Sequence, residues 1–157
     1  MVQILSALRM PKEKLNLKLI GKNIEDLKII SAYLQDSIVL INDIVFLKSS
    51  NSFLMMVNRF MWEDLEKGLL RKNKRIRSAI KFSEVHKVVS KNINQKNKDR
   101  ILEFLTIKTI SLPENYYEIK LIFSGDCVIS IFAEEIEVLL DDVGEPWNVK
   151  NIPKHKI

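Results

Sequence analysis

The chain has 157 residues, of which 46% are hydrophobic and 29% charged, a composition that indicates one globular domain and excludes an intrinsically disordered protein. No apolar run approaches the roughly 20 residues that a membrane-spanning helix requires, and the first residues do not read as a secretory signal. Cys127 is the sole cysteine, which excludes an internal disulfide. We therefore expect a cytoplasmic protein that has no membrane partner.

The formal net charge of +5 is unevenly distributed along the chain. Residues 71–100 contain eleven basic and two acidic side chains, a net charge of +9. Residues 101–157 contain five basic and ten acidic side chains, a net charge of −5. The positive charge is therefore a property of the middle of the chain, and any electrostatic interaction with an anionic partner is predicted to involve that segment.

In chain order, the first predicted element is a strand over residues 15–20, where apolar and polar positions alternate. Asn23 is a suitable N-cap for the amphipathic helix that follows. The apolar residues of this helix recur at helical spacing: Leu27, Ile30, Leu34 and Ile38. Residues 43–48 and 53–60 are apolar-rich runs on either side of the polar turn 49–52, which predicts a β-hairpin.

The second half of the chain is predicted to be mainly strand. A short helix over residues 62–70 and a basic surface loop over residues 71–75 precede one long or two short strands over residues 76–89. Further strands are predicted over residues 101–112, 117–123 and 127–132. Apolar residues at helical spacing predict a last helix over residues 133–143, ended by Gly144.

Together these elements predict an α+β fold. We expect a mostly antiparallel, strongly curved sheet or partly closed barrel of about seven strands, with two or three helices packed against it. Residues 15–147 are predicted to form a single α+β domain, with an N-terminal extension over residues 1–14 and a C-terminal tail over residues 148–157.

Blocks of sequence along almost the whole chain resemble a bacterial family catalogued as domain of unknown function number 2948. The most distinctive block is residues 54–63, Leu-Met-Met-Val-Asn-Arg-Phe-Met-Trp-Glu. The other blocks are residues 17–20, 25–27, 31–36, 123–125 and 136–147. The resemblance implies one domain over most of the chain, and it implies no activity, because the family has no established function.

Arg59, Trp62 and Glu63 form the most informative group of polar and aromatic residues. An arginine offers a planar set of donors for a carboxylate or phosphate, and a tryptophan offers a stacking face. We interpret Arg59 and Trp62 as a candidate site for an anionic or planar ligand, with Glu63 and Asp36 as orienting groups. The structural alternative is that Arg59 pairs with Glu63 or Asp36 while Trp62 fills the core.

The basic segment 71–100 is a candidate nucleic-acid interface, because its lysines and arginines could neutralise several phosphates. The residues proposed for such contacts are Arg71, Lys72, Lys74, Arg75 and Arg77. However, Phe82 is the sole aromatic residue of the segment, whereas proteins that bind single strands stack bases on exposed rings. A solvated basic face explains the same pattern.

The remaining polar residues give no indication of a metal, a cofactor or a catalytic group. His86 and His155 are the sole histidines and have no second ligand at metal-binding spacing. The carboxylates near Glu134 are explained by the dipole of the predicted last helix. The sequence also lacks the common nucleotide-binding, metalloprotease and serine-hydrolase motifs, which disfavours a familiar class of enzyme.

Three functional hypotheses follow from these residues. The first is a non-enzymatic binding or adaptor module that recognises a protein partner or an anionic ligand. The second is a nucleic-acid-associated protein that uses residues 71–100. The third is an enzyme with an unrecognised site around Arg59, Glu63 and Asp36.

Overall fold

A computed structural model describes residues 3–4, 16–66 and 73–154 as a single β-rich domain with few helices. The helices are α1 (Ile24–Leu34) and α2 (Trp62–Glu66). The strands are β1 (Gln3–Ile4), β2 (Lys18–Gly21), β3 (Ile38–Leu40), β4 (Ile44–Leu47), β5 (Ser52–Phe60), β6 (Lys74–Phe82), β7 (Val85–Lys91), β8 (Ile101–Leu112), β9 (Tyr116–Phe123), β10 (Cys127–Ala133) and β11 (Val138–Asn148). Among these elements, no helix is long and apolar enough to cross a membrane.

The strands form one antiparallel sheet in which ten strands follow the order β1-β2-β11-β6-β5-β3-β8-β9-β10-β7. The eleventh, β4, pairs with β5 beside β3. The predicted antiparallel sheet is thus confirmed, but the predicted strong curvature or partial closure is wrong, and the described sheet has more strands than the predicted seven or so. The path of strands has β1 at one end and β7 at the other, and the sheet is neither closed nor strongly curled.

Helix α1 begins where the sequence predicts, because the Asn23 side chain accepts a hydrogen bond from the Asp26 backbone N–H at 2.8 Å. The helix ends at Leu34, so the prediction that it continues to Ile38 is wrong. Asp36 has a left-handed φ of 62°, which a continuing α-helix excludes, and Ile38 instead starts β3. The apolar face of α1 packs into the core through Leu27 and its neighbours at helical spacing.

The predicted last helix over residues 133–143 is wrong, because that stretch contains the start of the strand β11. Val138, Leu140 and Asp142 are buried at every second position, which is the periodicity of a strand. β11 pairs with β2 on one side and with β6 on the other. This pairing satisfies the backbone of β11 on both sides, and its apolar residues happen also to fit a helical spacing.

The other predicted strands are confirmed in position. The predicted hairpin corresponds to β4 and β5, joined by a 3-10 turn over Lys48–Ser50 and by Asn51 in a left-handed conformation. The stretch from residue 76 to residue 89 forms two strands, β6 and β7, separated at Glu84, which has a φ of 58°. One apolar cluster fills the interior between α1 and residues from both halves of the sheet.

Candidate functional site

The candidate site begins at β5, where every second side chain is buried and the Arg59 side chain points into the interior. Phe53, Met55 and Val57 occupy every second position before Arg59, and all of them are buried. Since side chains of a strand alternate between its two faces, Arg59 continues this buried row. The Arg59 side chain is 0% exposed, and such burial requires compensation of its charge.

Asp142 and Glu63 supply that compensation from two different elements. Arg59 Nε donates to Asp142 Oδ1 at 2.8 Å, and Arg59 Nη2 donates to Asp142 Oδ2 at 2.7 Å. On the other edge of the guanidinium, Nη1 donates to Glu63 Oε1 at 2.9 Å and Nη2 to Glu63 Oε2 at 2.7 Å. Arg59, Asp142 and Glu63 therefore form a double bidentate arrangement, which we call the arginine cluster.

The sheet register fixes the position of Asp142 in this cluster. Asp142 on β11 lies opposite Ser78 on β6, and Ser78 lies opposite Val57 on β5. Ser78 Oγ donates to Asp142 Oδ1 at 2.6 Å, and the backbone N–H of Leu17 donates to Asp142 Oδ2 at 3.3 Å. Both oxygens of Asp142 thus accept hydrogen bonds besides those of Arg59, which satisfies a carboxylate that is almost completely buried.

The carboxylates keep Arg59 charged despite its burial. Burial alone would lower the pKa of the Arg59 guanidinium, because it penalises the charged form. The hydrogen bonds and charges of Asp142 and Glu63 outweigh this effect and raise the pKa above its ordinary value. Arg59 is thus a permanent cation that links β5, β11 and α2.

Trp62 lies at the start of α2 and is held on two sides. Its indole N–H donates to the carbonyl oxygen of Gln35 at 2.8 Å, and its ring packs on Phe60 with 4.6 Å between the centroids. The ring is half-buried, so Trp62 covers part of the sheet without being enclosed by it. Contacts of this kind fix the orientation of the ring.

An open groove of about 410 Å³ runs between α1 and α2. Tyr33 and Trp62 supply its aromatic surface, and the groove also contains the exposed edge of the arginine cluster at Glu63. The remaining lining residues come from the outer face of α1: Glu25, Lys28, Ile29 and Ala32. Lys28 Nζ lies 3.3 Å from Glu25 Oε1, so these two charges compensate one another within α1.

Asp36, the second predicted orienting group, lies beside a different arginine. The charges that act on Arg59 are those of Asp142 and Glu63, whereas the charge of Asp36 acts on Arg75. Arg75 Nη1 donates to the carbonyl oxygen of Asp36 at 3.1 Å. The structure therefore brings Arg59, Trp62 and Glu63 together and places Asp36 next to Arg75.

The predicted nucleic-acid contacts are only partly within the described residues. Arg71 and Lys72 lie outside them, and Lys74 and Arg75 begin β6 instead of forming the predicted loop. Arg75 Nη1 also donates to the carbonyl oxygen of Asn58 at 2.9 Å, and burial lowers the pKa of its guanidinium. The Arg77 side chain donates to Asn58 Oδ1 at 3.1 Å and to Asp43 Oδ2 at 3.0 Å.

The other candidate residues do not join this site. His86 Nε2 lies 3.3 Å from Glu134, and Cys127 is buried with its sulfur 3.0 Å from Arg100 Nη2. His155 lies outside the described residues. Within the part of the chain that the structure describes, no group of three or more His, Cys, Asp or Glu residues could hold a metal ion.

Sequence reasoning missed three residues of the site: Asp142, Ser78 and Tyr33. The signal for Asp142 was present, because Val138, Leu140 and Asp142 alternate and would place an acid in a buried row of a strand. A buried acid requires a cation, and Arg59 follows a buried row of the same kind. The helical interpretation of residues 133–143 concealed this match.

The family model described as "Protein of unknown function (DUF2948)" matches residues 17–155. The match covers most of the chain, so the chain belongs to this family, as the resemblance implied. No curated protein and no solved structure gives a significant match to the chain.

Proposed function

For this member of a family without an assigned function, we propose that the chain is a non-enzymatic binding module that recognises a protein partner through the groove between α1 and α2. The observation that carries this proposal is the groove itself, in which Trp62 and Tyr33 form an aromatic surface beside exposed aliphatic side chains of α1. Tryptophan and tyrosine are the residues that most often dominate protein recognition.

The proposal is supported by the rigid base of the groove. Trp62 is held by Gln35 and Phe60, and Glu63 in the next position is held by the buried Arg59. Side chains that are fixed in advance lose little conformational entropy when a partner binds, so more of the contact energy is available for affinity. Arg59 and Asp142, which do not line the groove, thus fix the position of Glu63 within the recognition surface.

The same geometry argues against Arg59 as a receptor for an anionic ligand. An anion at Arg59 would have to displace Asp142 or Glu63 from a bidentate pair with a guanidinium that is 0% exposed. Displacing Asp142 would leave that carboxylate buried without its cation, which is energetically costly. A protein partner in the groove requires no such exchange.

The nucleic-acid and enzyme hypotheses receive less support from the contacts. Arg75 and Arg77 donate hydrogen bonds to acceptors within the protein, which leaves fewer of their N–H groups for phosphates. The pairing of Arg59 with Glu63 also occupies two of the three groups on which the enzyme hypothesis depends, and the third, Asp36, lies beside Arg75 instead. Heparin retention that disappears when Arg71, Lys72, Lys74 and Arg75 are replaced by alanine would restore the nucleic-acid hypothesis.

A selection from a phage-displayed random peptide library tests the proposed function. Ile29 in the groove is 43% exposed and Val89 on β7 is 44% exposed, so Ile29→Arg and Val89→Arg form a matched pair. We expect the selected peptides to bind the Ile29→Arg variant about tenfold more weakly or worse, since an apolar contact is lost. Binding to Val89→Arg should be unchanged. Failure to enrich peptides, or equal binding to both variants, would refute a recognition groove at this position.

A further inference from the structure

We infer that the groove recognises a basic side chain of the partner, an arginine or a lysine, which lies on Trp62 with its cationic group at Glu63. This inference rests on the proposed function and specifies the chemistry of the partner. Its starting point is a charge imbalance inside the protein, not the presence of acidic residues on the surface.

The arginine cluster contains one cation and two carboxylates, so it carries one uncompensated negative charge. The Asp142 side chain is 2% exposed and the Glu63 side chain is 25% exposed. The excess negative charge is therefore exposed to solvent at Glu63, which lines the groove. A partly desolvated carboxylate attracts a cation more strongly than a carboxylate in open water does.

The other residues that line the groove have no net charge. Glu25 and Lys28 are the other charged lining residues, and they pair with each other at 3.3 Å on the exposed face of α1. The charge that the groove presents to a partner is thus the single negative charge of the arginine cluster. Charge complementarity consequently favours a partner group that carries one positive charge.

The aromatic and aliphatic surfaces match the remainder of a basic side chain. Trp62 offers the ring type that interacts most favourably with cations, and Ile29 and Ala32 offer an apolar surface for a methylene stem. Tyr33 already lies under a cation, because the Arg59 guanidinium carbon is 5.7 Å from the centre of its ring. The volume of about 410 Å³ is within the range of roughly 300–1,000 Å³ that is typical of ligand sites.

The experiment uses the full chain and three short blocked peptides, each with a single central residue between two leucines. The central residue is arginine, citrulline or norleucine, so that citrulline keeps the shape of arginine without its charge. Binding is followed through the indole N–H signals in nuclear magnetic resonance spectra. Trp62 lies in the groove and Trp147 lies on β11, and these are the sole tryptophans of the chain.

We expect the arginine peptide to shift the Trp62 indole signal but not that of Trp147. The citrulline and norleucine peptides should bind about tenfold more weakly, because neither carries the positive charge that would pair with the Glu63 carboxylate. Raising the ionic strength should weaken binding of the arginine peptide more than that of the citrulline peptide. Ile29→Arg should abolish the shift by repelling the cation, and Val89→Arg should leave it unchanged.

The outcomes separate this inference from the proposed function. If library peptides bind in a manner sensitive to Ile29→Arg but arginine gives no advantage over citrulline, the partner's charge is irrelevant and this inference is wrong, while the recognition groove stands. If the arginine peptide shifts Trp147 instead of Trp62, the inference is also wrong. If peptides of every kind bind equally to both arginine variants, the groove itself is not a recognition site.

Discussion

Two arginines on neighbouring strands pair with carboxylates at nearly equal distances, but one pairing is buried and the other is partly exposed to solvent. Arg59 on β5 lies 2.7 Å from both Asp142 and Glu63 and is fully buried. Arg77 on β6 lies 3.0 Å from Asp43, and its side chain is 39% exposed. The two arginines differ in the amount of water around the charges and in the number of contacts, because Arg59 is bidentate with two carboxylates whereas Arg77 donates once to Asp43.

The comparison shows why contact distance alone does not indicate the energetic role of an ion pair. An exposed pair exchanges hydration for a weak, screened attraction and contributes roughly 0–1 kcal/mol. A buried pair has already lost its hydration, so removal of one partner leaves the other charge unsatisfied. We therefore expect the arginine cluster to control stability, and the pair between Arg77 and Asp43 to have little effect on it.

The largest expected effect is that of Arg59→Met, which should lower the free energy of unfolding by about 3–5 kcal/mol, because Asp142 remains buried without its cation. Chemical denaturation monitored by fluorescence measures this change. The double variant Arg59→Met/Asp142→Leu should recover part of the loss, since it removes both buried charges. A loss below about 1 kcal/mol for Arg59→Met would mean that water reaches the cluster, and it would remove the contrast with Arg77.

An intermediate effect is expected for Ser78→Ala, which removes the hydroxyl donor to Asp142 while leaving Arg59 in place. The loss of this buried hydrogen bond should cost about 1–2 kcal/mol of unfolding free energy. Ser111→Ala is the control, because Ser111 is an exposed serine on β8 and should change stability by less than about 0.5 kcal/mol. Equal effects of the two substitutions would show that Asp142 does not depend on Ser78.

The smallest expected effect is that of Arg77→Gln, which should change the unfolding free energy by no more than about 1 kcal/mol. The difference between the variant and the unchanged protein should shrink as salt is added, because exposed charges are screened. Denaturation curves at low and high salt provide the measurement. A loss of unfolding free energy that is independent of salt and as large as that of Arg59→Met would show that Arg77 behaves like a buried ion pair, and it would contradict the comparison.

The local parts of the fold could be predicted from the sequence. Helix α1 follows from the Asn23 cap and its apolar spacing, and the hairpin of β4 and β5 follows from polar turn residues between apolar runs. These signals act over a few residues, so the sequence contains them without any knowledge of distant strands. The helical interpretation of residues 133–143 failed because a strand paired on both sides can also show helical spacing.

The candidate site could be predicted only in its local part. Arg59 and Glu63 are four residues apart, and their pairing was foreseen as the structural alternative to ligand binding. Asp142 is 83 residues from Arg59 in the sequence. The two side chains meet only because β11 and β5 lie on either side of the same strand, β6. Strand order depends on the packing of the whole sheet, which local periodicity does not encode.

Strand β11 lies between β2 and β6, although it follows every other strand in the described part of the chain. Until residues 138–148 leave the ribosome, β2 has no strand pairing with β6, and the edge of β6 that later binds β11 stays unpaired. The nascent chain must also tolerate Arg59 without one of its carboxylates during that interval. We therefore expect the growing polypeptide to be vulnerable to aggregation until β11 has been synthesised, and the pairing of β2, β11 and β6 to form in one cooperative step.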